Sequence, residues 1–356
     1  MSRIKIDHFK EEDIKDFIGL SSTEYKDEAI TNKEHVRWKH VNSNFGPSIY
    51  VTLNNNKSVI GRVLLHRRVL QTKNKKIIFA QPMDLLIKKD FRRNPLNFIK
   101  LTKACDNIKE SDYIFHTSNE KSYPLYKHLL KFSSPFKLSA YGFPINIGSI
   151  LGALFKVKIE FLNIVFLPFY FLFFIIFYLA NYFSNINFSK TQLNNRDIQS
   201  TLRRYKEKSW DCFDRSVHFL EWRFKNAPLR EADIIQIKKN GDFAGYIVLK
   251  KASLNHLTHL TIMDFMLIPN LNILDRLVIK FWLINEGVKS KSDTLFLMVN
   301  PFSEASKPII GFPFLPIPES LLPHATPIFI RAIKKRSKWL EFNNKIHITL
   351  ADLDYF

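Results

Sequence analysis

Two aspartates occupy matching places in the two halves of this 356-residue sequence. Asp84 and Asp264 each follow a methionine, and each lies 48 residues before a phenylalanine. Asp84 falls late in a long predicted strand, where its carboxylate could face a cleft and act as a general base. Both residues are therefore candidate catalytic groups. The alternative is that each carboxylate only holds a turn or caps a helix.

A basic turn follows the strand of Asp84 and leads into a predicted helix. The backbone N–H groups at a helix start and the positive end of the helix dipole attract anions. We therefore predict an anion site made by the side chains of Arg92 and Arg93 and the backbone amides of Asn94, Leu96 and Asn97. The alternative is a solvated basic turn. The matching turn of the second half lacks arginine, so its site is predicted to be lost.

The chain contains an internal repeat. Trp38 precedes Gly61 by 23 residues, and Trp222 precedes Gly245 by 23 residues. At 356 residues the chain is long enough for two domains of about 150 residues each. We predict an N-terminal domain at 1–150, a hydrophobic insert and linker at 151–200, and a C-terminal domain at 201–356.

Each half is predicted to run helix, three antiparallel strands, helix, strand, helix and strand. In the first half the three strands are expected near Ser48–Leu53, Val59–Leu70 and Lys76–Lys88, because β-branched and aromatic runs alternate there with Asn-rich turns. The carboxy-terminal run Lys345–Leu350 has an alternating apolar pattern. It predicts a closing strand.

The insert is rich in phenylalanine and has no charged residue between Glu160 and Lys190. A bilayer span needs about 20 apolar residues, but Pro168 divides this stretch. A single crossing would also separate the two copies of the repeat. We therefore expect a kinked helix or a helical hairpin that dips into an anionic membrane surface through residues 155–189, with a true span and a buried interdomain helix as alternatives.

The charge balance favours an anionic partner. With 53 Lys and Arg against 33 Asp and Glu, the formal net charge is +20, which suits an anionic leaflet, a nucleic acid or a phosphorylated substrate. Cys105 and Cys212 lie far apart, and no Cys or His spacing is typical of a metal site, so no metal is expected. The amino terminus lacks the pattern of a signal peptide. We expect the halves to lie in the cytoplasm.

Several short motifs, taken in order, resemble the GNAT acyltransferase superfamily. They are the turn that contains Arg92, the segment Asn119–Pro124, and Leu130–Phe132. The chain looks most like bacterial tandem-GNAT proteins of surface-polysaccharide pathways, whose halves begin with Trp-Lys or Trp-Arg and whose last strand ends in Asp-x-Asp, here Asp352 and Asp354. The resemblance implies an α+β fold. Two tandem GNAT-like domains, each a mixed and mostly antiparallel sheet flanked by helices, would surround the hydrophobic helical insert.

The resemblance implies transfer of an acyl group from acetyl-CoA or another acyl-CoA to an amine. The basic turn would hold the pyrophosphate, although the family's two glycines are absent and Pro95 has no N–H to donate. Asp84 or Asp264 would take the proton from the amine. Tyr126 lies near where some members place a tyrosine acid, and ring packing is its alternative role.

Three functions remain open from the sequence. The first is an N-acyltransferase acting on an amino sugar or a lipid-linked glycan precursor at the cytoplasmic face of the inner membrane. The second is a Fem-type transferase, which takes its acyl group from aminoacyl-tRNA; nucleic acid is otherwise an unlikely partner. The third is an inactive, membrane-docked binding module.

Overall fold

The computed structural model of the protein describes residues 2–24, 28–56, 58–118, 122–155, 162–190, 192–229, 232–254, 256–322, 327–333 and 345–353. The strands of the first half are β1 (Arg3–His8), β2 (Ile49–Asn55), β3 (Ser58–Gln71), β4 (Lys76–Ile87), β5 (Tyr113–Thr117), β6 (Ser133–Lys137) and β7 (Ser139–Pro144). Its helices are α1 (Asp13–Ser22), α2 (Glu28–Thr31), α3 (Lys33–Val36), α4 (Pro95–Ala104) and α5 (Ile147–Phe155), with π-helical turns at Arg37–Val41 and Leu125–Leu129.

The remaining elements follow α5. The helices are α6 (Leu162–Ser184), α7 (Asn195–Glu207), α8 (Val217–Leu220) and α9 (Ile273–Lys289), with a π-helical turn at Glu221–Lys225. The strands are β8 (Ile186–Ser189), β9 (Cys212–Phe213), β10 (Asp233–Lys239), β11 (Asp242–Leu254), β12 (Leu257–Leu267), β13 (Thr294–Val299), β14 (Leu315–Pro316) and β15 (Pro327–Ala332). The three predicted strands of the first half are present as β2, β3 and β4.

The strands form two mixed sheets, so the predicted α+β class with helix-flanked sheets is confirmed. The first sheet has the order β1-β2-β3-β4-β5-β15-β6, with β9 added beside β3, and the second has the order β14-β7-β13-β12-β11-β10-β8. Each sheet therefore contains strands from the other half. In the first sheet β15 lies between β5 and β6 and β9 pairs with β3, and in the second sheet β7 pairs with β13. The domain limits 1–150 and 201–356 describe the sequence repeat and stay a prediction. Each sheet takes strands from both sides of these limits.

A shared core holds the two sheets together. Phe79, Phe115 and Phe213 from the side of the first sheet belong to the same apolar cluster as Tyr246 and Val248 of β11. A separate cluster on the other face of the second sheet contains the neighbouring β11 residues and the inner sides of α6 and α9. Because side chains alternate along a strand, the shared core and α6 lie on opposite faces of β11.

The two repeated tryptophans pair with each other. The rings of Trp38 and Trp222 stack with centroids 5.1 Å apart. The indole Nε1 of Trp38 donates to the carbonyl of Trp222 at 2.8 Å, and Trp222 donates to the carbonyl of Trp38 at 3.2 Å. These matching residues form one reciprocal contact between the halves.

Replacing either tryptophan by phenylalanine removes the indole donor and leaves a buried carbonyl without its partner. We expect Trp38→Phe and Trp222→Phe each to lower the free energy of unfolding by about 2 kcal/mol. Because the rings touch, the double variant should lose less than the sum of the two single losses. Urea unfolding of the four proteins measures this coupling, and strictly additive losses would contradict the reciprocal contact.

Helix α6 carries the phenylalanine-rich segment and contains Pro168. One side packs on α9, where Phe173 contacts Phe281. Tyr170 on this helix also donates its hydroxyl to the carbonyls of Pro144, at the end of β7, and Ile145, at 2.9 and 2.6 Å. The other side is exposed and apolar, and its residues are Phe171, Leu172, Ile175, Ile176, Tyr178, Leu179, Tyr182 and Phe183. Among the residues that the structure describes, no helix has both the length and the hydropathy needed to cross a membrane.

The expected closing strand at Lys345–Leu350 is not a strand. Within residues 345–353, His347 forms a single β-bridge with Cys212, and Leu350–Asp352 is a 3-10 turn. The apolar alternation has a different cause, since Ile346, Ile348 and Leu350 all enter the shared core as the chain passes between the two sheets. A buried irregular segment and an edge strand give the same sequence pattern.

Candidate active site

The first sheet opens where β4 and β5 stop pairing. These two strands are parallel and pair only at Phe79 with Tyr113 and at Ala80 with Ile114. Beyond Ala80, the described residues of β4 pair with β3 alone, up to Ile87. The opening between β4 and β5 therefore leads from the middle of the sheet towards the basic turn and α4. We call it the first gap.

Asp84 lies on β4 at a bulge beside this gap. Its backbone has φ of +48°, a left-handed conformation that is uncommon for residues other than glycine. The pairing register between β3 and β4 shifts at this point, as a β-bulge requires. Strained backbone of this kind clusters at functional sites, where the strain aims a side chain. No residue pattern in the sequence indicated this bulge.

Two basic side chains hold the carboxylate of Asp84. Lys39 Nζ lies 2.9 Å from Asp84 Oδ2, and His40 Nε2 lies 2.8 Å from the same oxygen. Burial alone would raise the pKa of Asp84, but the Lys39 ammonium and the hydrogen bond from His40 together hold it well below its ordinary value. Only 9% of the side chain is exposed. Asp84 is therefore an ionised carboxylate with a narrow opening to solvent.

A second histidine extends this cluster. His40 Nδ1 lies 3.1 Å from Ser48 Oγ and 3.2 Å from His66 Nε2. If His40 donates from Nε2 to Asp84, its Nδ1 is an acceptor that His66 or Ser48 can satisfy. Burial lowers the pKa of His40 to about 4 despite the neighbouring Asp84, so the ring is neutral at pH 7. The group Asp84, Lys39, His40 and His66 is the candidate active site, here called the Asp84 cluster.

Sequence reasoning identified Asp84 but missed His40 and His66. A signal was present at His40, because this histidine directly follows the repeated Trp-Lys pair. The second copy has Phe224 at the matching position after Trp222-Arg223. A polar residue in one copy where the other has an apolar one indicates that only one copy keeps a polar site.

Asp264, the counterpart of Asp84, lies in a closed ionic network. Arg215 Nε is 2.9 Å from Asp264 Oδ2, Tyr246 donates its hydroxyl to the same oxygen at 2.8 Å, and Thr349 donates to Oδ1 at 2.7 Å. Arg215 also forms a two-point contact with Asp352, which in addition pairs with Arg68 and accepts from the backbone N–H of Thr349. Both side chains of the Arg215–Asp264 pair have no exposed surface. These contacts favour the structural alternative for Asp264.

The carboxy-terminal segment fills the corresponding gap of the second sheet. β12 and β13 are parallel and pair from His259 to Ile262, after which the described residues of the two strands part. In the space beyond, Asn300 donates its side-chain amide to the carbonyl of Ile346 at 2.7 Å, and its backbone N–H donates to Ile348. On the other side, His347 Nε2 lies 3.0 Å from the carbonyl of Phe265. The chain itself thus occupies the second gap.

The predicted anion turn is in place but makes internal bonds. Arg92 Nε donates to the carbonyl of Ile87 at 2.7 Å, and Arg92 Nη2 lies 2.5 Å from Glu24 Oε2. The Asn94 side chain accepts from the amide of Leu96, and the Asn94 carbonyl accepts from the amide of Asn97. A ligand that uses these amides must replace those bonds.

The other two predicted groups of the site differ in exposure. Arg93 is exposed and forms no ion pair within the described part of the chain. Tyr126 is buried and packs on the rings of Phe132, Phe98 and His116. Burial raises the pKa of Tyr126. These contacts favour ring packing for Tyr126, the alternative already open from the sequence. Asp354, the second aspartate of the Asp-x-Asp element, lies outside the described residues.

His116 should make the protein sensitive to acid. Burial lowers its pKa to about 4, so between pH 6.5 and 4 the unfolded chain takes up a proton that the folded chain excludes. Stability therefore falls as pH falls through this window. Between pH 7 and pH 4.5, we expect the free energy of unfolding of His116→Phe to fall by about 2 kcal/mol less than that of the parent. Urea unfolding at both pH values measures it, with the exposed His128→Phe as control. Equal losses in all three proteins would contradict the expectation.

Known structures share this arrangement of sheets. A GCN5-related N-acetyltransferase from Anabaena variabilis has a TM-score of 0.59 and 10% identity over 93% of this chain and 73% of that protein. A probable N-acyltransferase from Enterococcus faecalis has a TM-score of 0.58 and 8% identity over 93% of this chain and 73% of its own. A GCN5-related N-acetyltransferase from Kribbella flavida has a TM-score of 0.56 and 8% identity over 93% and 72%.

The sequence matches no protein-family model and no curated protein. At identities of 10% and below, the structural likeness establishes the fold and nothing finer. It agrees with the superfamily that the motifs resemble. The chain has the fold of the GCN5-related N-acetyltransferases.

Proposed function

We propose that this protein is an acyl-CoA-dependent N-acyltransferase whose chemistry takes place in the first half. The observation that carries the proposal is the contrast between the two gaps. The first gap has the Asp84 cluster on a left-handed bulge beside it, whereas the chain itself fills the second. The fold likeness supports the reaction class, and the contrast between the two gaps supports the location of the chemistry.

The residues of the Asp84 cluster suit proton transfer from an amine. The amine nitrogen forms the new bond to the acyl carbon, the carbon–sulfur bond breaks, and the proton of the nitrogen goes to Asp84 Oδ1 or Oδ2 while the thiolate takes up another proton. Asp84 is ionised at neutral pH and has lone pairs free to accept the proton, but its lowered pKa makes it a weak base that passes the proton on to solvent. Lys39 and His40 fix its position through bonds of 2.9 and 2.8 Å. In this proposal the second half has a structural role.

Calorimetric titration with acetyl-CoA and longer acyl-CoAs tests the first step of the proposal. We expect binding to the parent protein and at least tenfold weaker binding to Arg92→Gln, because a charged contact to the pyrophosphate is lost. Arg276→Gln is a matched control, since Arg276 Nε donates to Leu271 five residues earlier, as Arg92 Nε does to Ile87. Absence of any acyl-CoA binding to the parent would reject the proposal.

The internal bonds of the basic turn support one alternative, a Fem-type transferase that takes its acyl group from aminoacyl-tRNA without a pyrophosphate turn. The net charge of +20 suits such a partner. Steeply salt-dependent tRNA binding without acyl-CoA binding would favour this alternative. If neither acyl-CoA nor tRNA binds, the inactive binding module is favoured.

We further propose that the acceptor is an amino sugar or a lipid-linked glycan precursor, and that the protein works at the cytoplasmic face of a bacterial inner membrane. The exposed side of α6 supports membrane docking. Seven large side chains there, from Phe171 to Phe183, are at least 42% exposed: Phe171, Leu172, Ile175, Tyr178, Leu179, Tyr182 and Phe183. The net charge of the whole chain is +20, and an exposed apolar helix face on a basic protein is typical of binding to anionic bilayers.

Three serine substitutions on α6 should weaken this binding. We expect Phe171→Ser, Ile175→Ser and Leu179→Ser, combined, to reduce partitioning onto vesicles of anionic lipid about 100-fold or more, because each apolar side chain contributes more than 1 kcal/mol on burial. The control combines Ile4→Ser, Ile6→Ser and Leu129→Ser, which are also exposed apolar residues. Equal vesicle binding by both variants in a sedimentation assay would refute docking through α6.

A further inference from the structure

A basic groove lies between α7 and the turn that joins β3 to β4. It has a volume of about 560 Å³, within the range of small-molecule sites. Four cationic side chains line it, Lys76 from β4 and Arg196, Arg203 and Lys206 from one side of α7. Its one carboxylate is Asp214, which already accepts the Ser216 hydroxyl at 2.7 Å.

These four cations have no anionic partner in the part of the chain that the structure describes. None of them forms an ion pair there, although other residues in the described part of the chain form 19 ion pairs. Arg203 and Lys206 are three residues apart on α7, a spacing at which like charges destabilise a helix. A bound anion would remove this repulsion.

The other side of α7 provides a comparison. A second groove of about 510 Å³ lies there, lined by Arg204 and Lys239 together with Asp197 and Asp242. Its charges balance, and Lys239 is also paired with Asp275 at 2.6 Å. The excess of positive charge is therefore specific to the groove of Arg203 and is not a general property of α7.

The position of the basic groove separates it from both sites of the proposed function. Leu202 and Tyr205 of α7 pack in the core shared by the two sheets, whereas α6 packs on the opposite face of β11. Lys76 and Asp84 lie eight residues apart on the same strand, which corresponds to roughly 26 Å. The groove thus adjoins neither the proposed membrane surface nor the Asp84 cluster.

We propose that this groove is a second binding site, for a phosphate-bearing small molecule of the nucleoside diphosphate class. Arginine and lysine side chains recognise phosphate oxygens through charge-assisted hydrogen bonds. The groove also offers neutral groups to the remainder of such a ligand, since Gln71, Gln199 and Ser200 line it. The buried Gln71 Oε1 has no hydrogen-bond partner among the described residues and would accept from an N–H of the ligand.

Calorimetric titration with uridine diphosphate and with inorganic pyrophosphate tests the proposal. We expect both to bind the full chain, and the combined Arg203→Gln and Lys206→Gln variant to bind each at least tenfold more weakly. Arg204→Gln is the matched control on the balanced side of α7 and should bind as the parent does. Pyrophosphate binding that remains in the Arg203 and Lys206 variant and disappears when Arg92→Gln is added belongs to the basic turn, so the two sites are measured separately.

Three results would overturn the proposal. They are absence of binding of both probes to the parent, unchanged binding by the Arg203 and Lys206 variant, and an equal loss in Arg204→Gln. A lipid headgroup is the other source of phosphate. If the Arg203 and Lys206 variant loses binding to anionic vesicles while neither soluble probe binds the parent, the groove is a lipid contact and the proposal is wrong.

Discussion

Arg215→Met should abolish stable folding or lower the free energy of unfolding by at least about 3 kcal/mol. Arg215 is fully buried and contacts two aspartates that are also fully buried, Asp264 and Asp352. With Arg68, these residues form a network of two positive and two negative charges. Removal of Arg215 leaves two carboxylates and one cation in the core.

The expected loss of stability comes mainly from leaving a buried carboxylate without its partner, and less from losing the attraction between the charges. A buried carboxylate without a partner costs several kcal/mol, whereas total stability is typically about 5–15 kcal/mol. The pKa of Asp352 shows the same coupling: burial would raise it, but Arg215 and Arg68 hold it below its ordinary value. This contribution to stability is present above the ordinary pKa of a carboxyl group and disappears as pH falls through the lowered one.

Urea unfolding of Arg215→Met measures the loss, and Arg37→Met is the control. Arg37 contacts Glu11 and Glu34 at the surface, where solvent screens the attraction, so replacing it should cost far less stability than replacing Arg215. If Arg215→Met does not fold, the combination with Asp264→Asn remains informative. It leaves Arg68 paired with Asp352 and keeps a polar partner for Tyr246 and Thr349. We expect it to regain part of the stability, and a double variant no better than the single one would contradict the network.

The network also shows why the sequence could not separate Asp264 from Asp84. Both aspartates have the same sequence signature, but their environments come from distant segments. Arg215 precedes Asp264 by 49 residues, and Thr349 follows it by 85. Only the folded chain brings these residues together, so local periodicity predicted the strands while the roles of the carboxylates stayed open.

Strand exchange was hidden for a related physical reason. An extended segment such as Ser139–Pro144 or Pro327–Ala332 has no mark of the sheet that it joins. The partners of β7 and β15 are decided by tertiary packing. The sequence predicted mixed sheets flanked by helices, which the structure has, while the strands that each half contributes to the other had no signal in spacing or composition.

Asp84→Asn should lower kcat for acyl transfer about 100-fold or more with little change in the affinity for acyl-CoA, because it removes a proton acceptor and leaves the basic turn unchanged. The amide keeps an oxygen that can accept from His40 and Lys39, so the bulge geometry should persist. Asp16→Asn, an exposed aspartate of the first half, is the control. Parent-like turnover by Asp84→Asn would exclude Asp84 as the base.

A loss of activity in Asp84→Asn could also come from the charge imbalance that it leaves beside Lys39, whose side chain is only 10% exposed. Adding Lys39→Met to Asp84→Asn restores the charge balance but not the base. If Asp84 is the proton acceptor, the double variant should regain stability and stay inactive. His40 does not replace it, because its ring is buried and its two nitrogens already face Asp84 on one side and Ser48 and His66 on the other. Activity that returns together with stability would show instead that Asp84 acts through the fold.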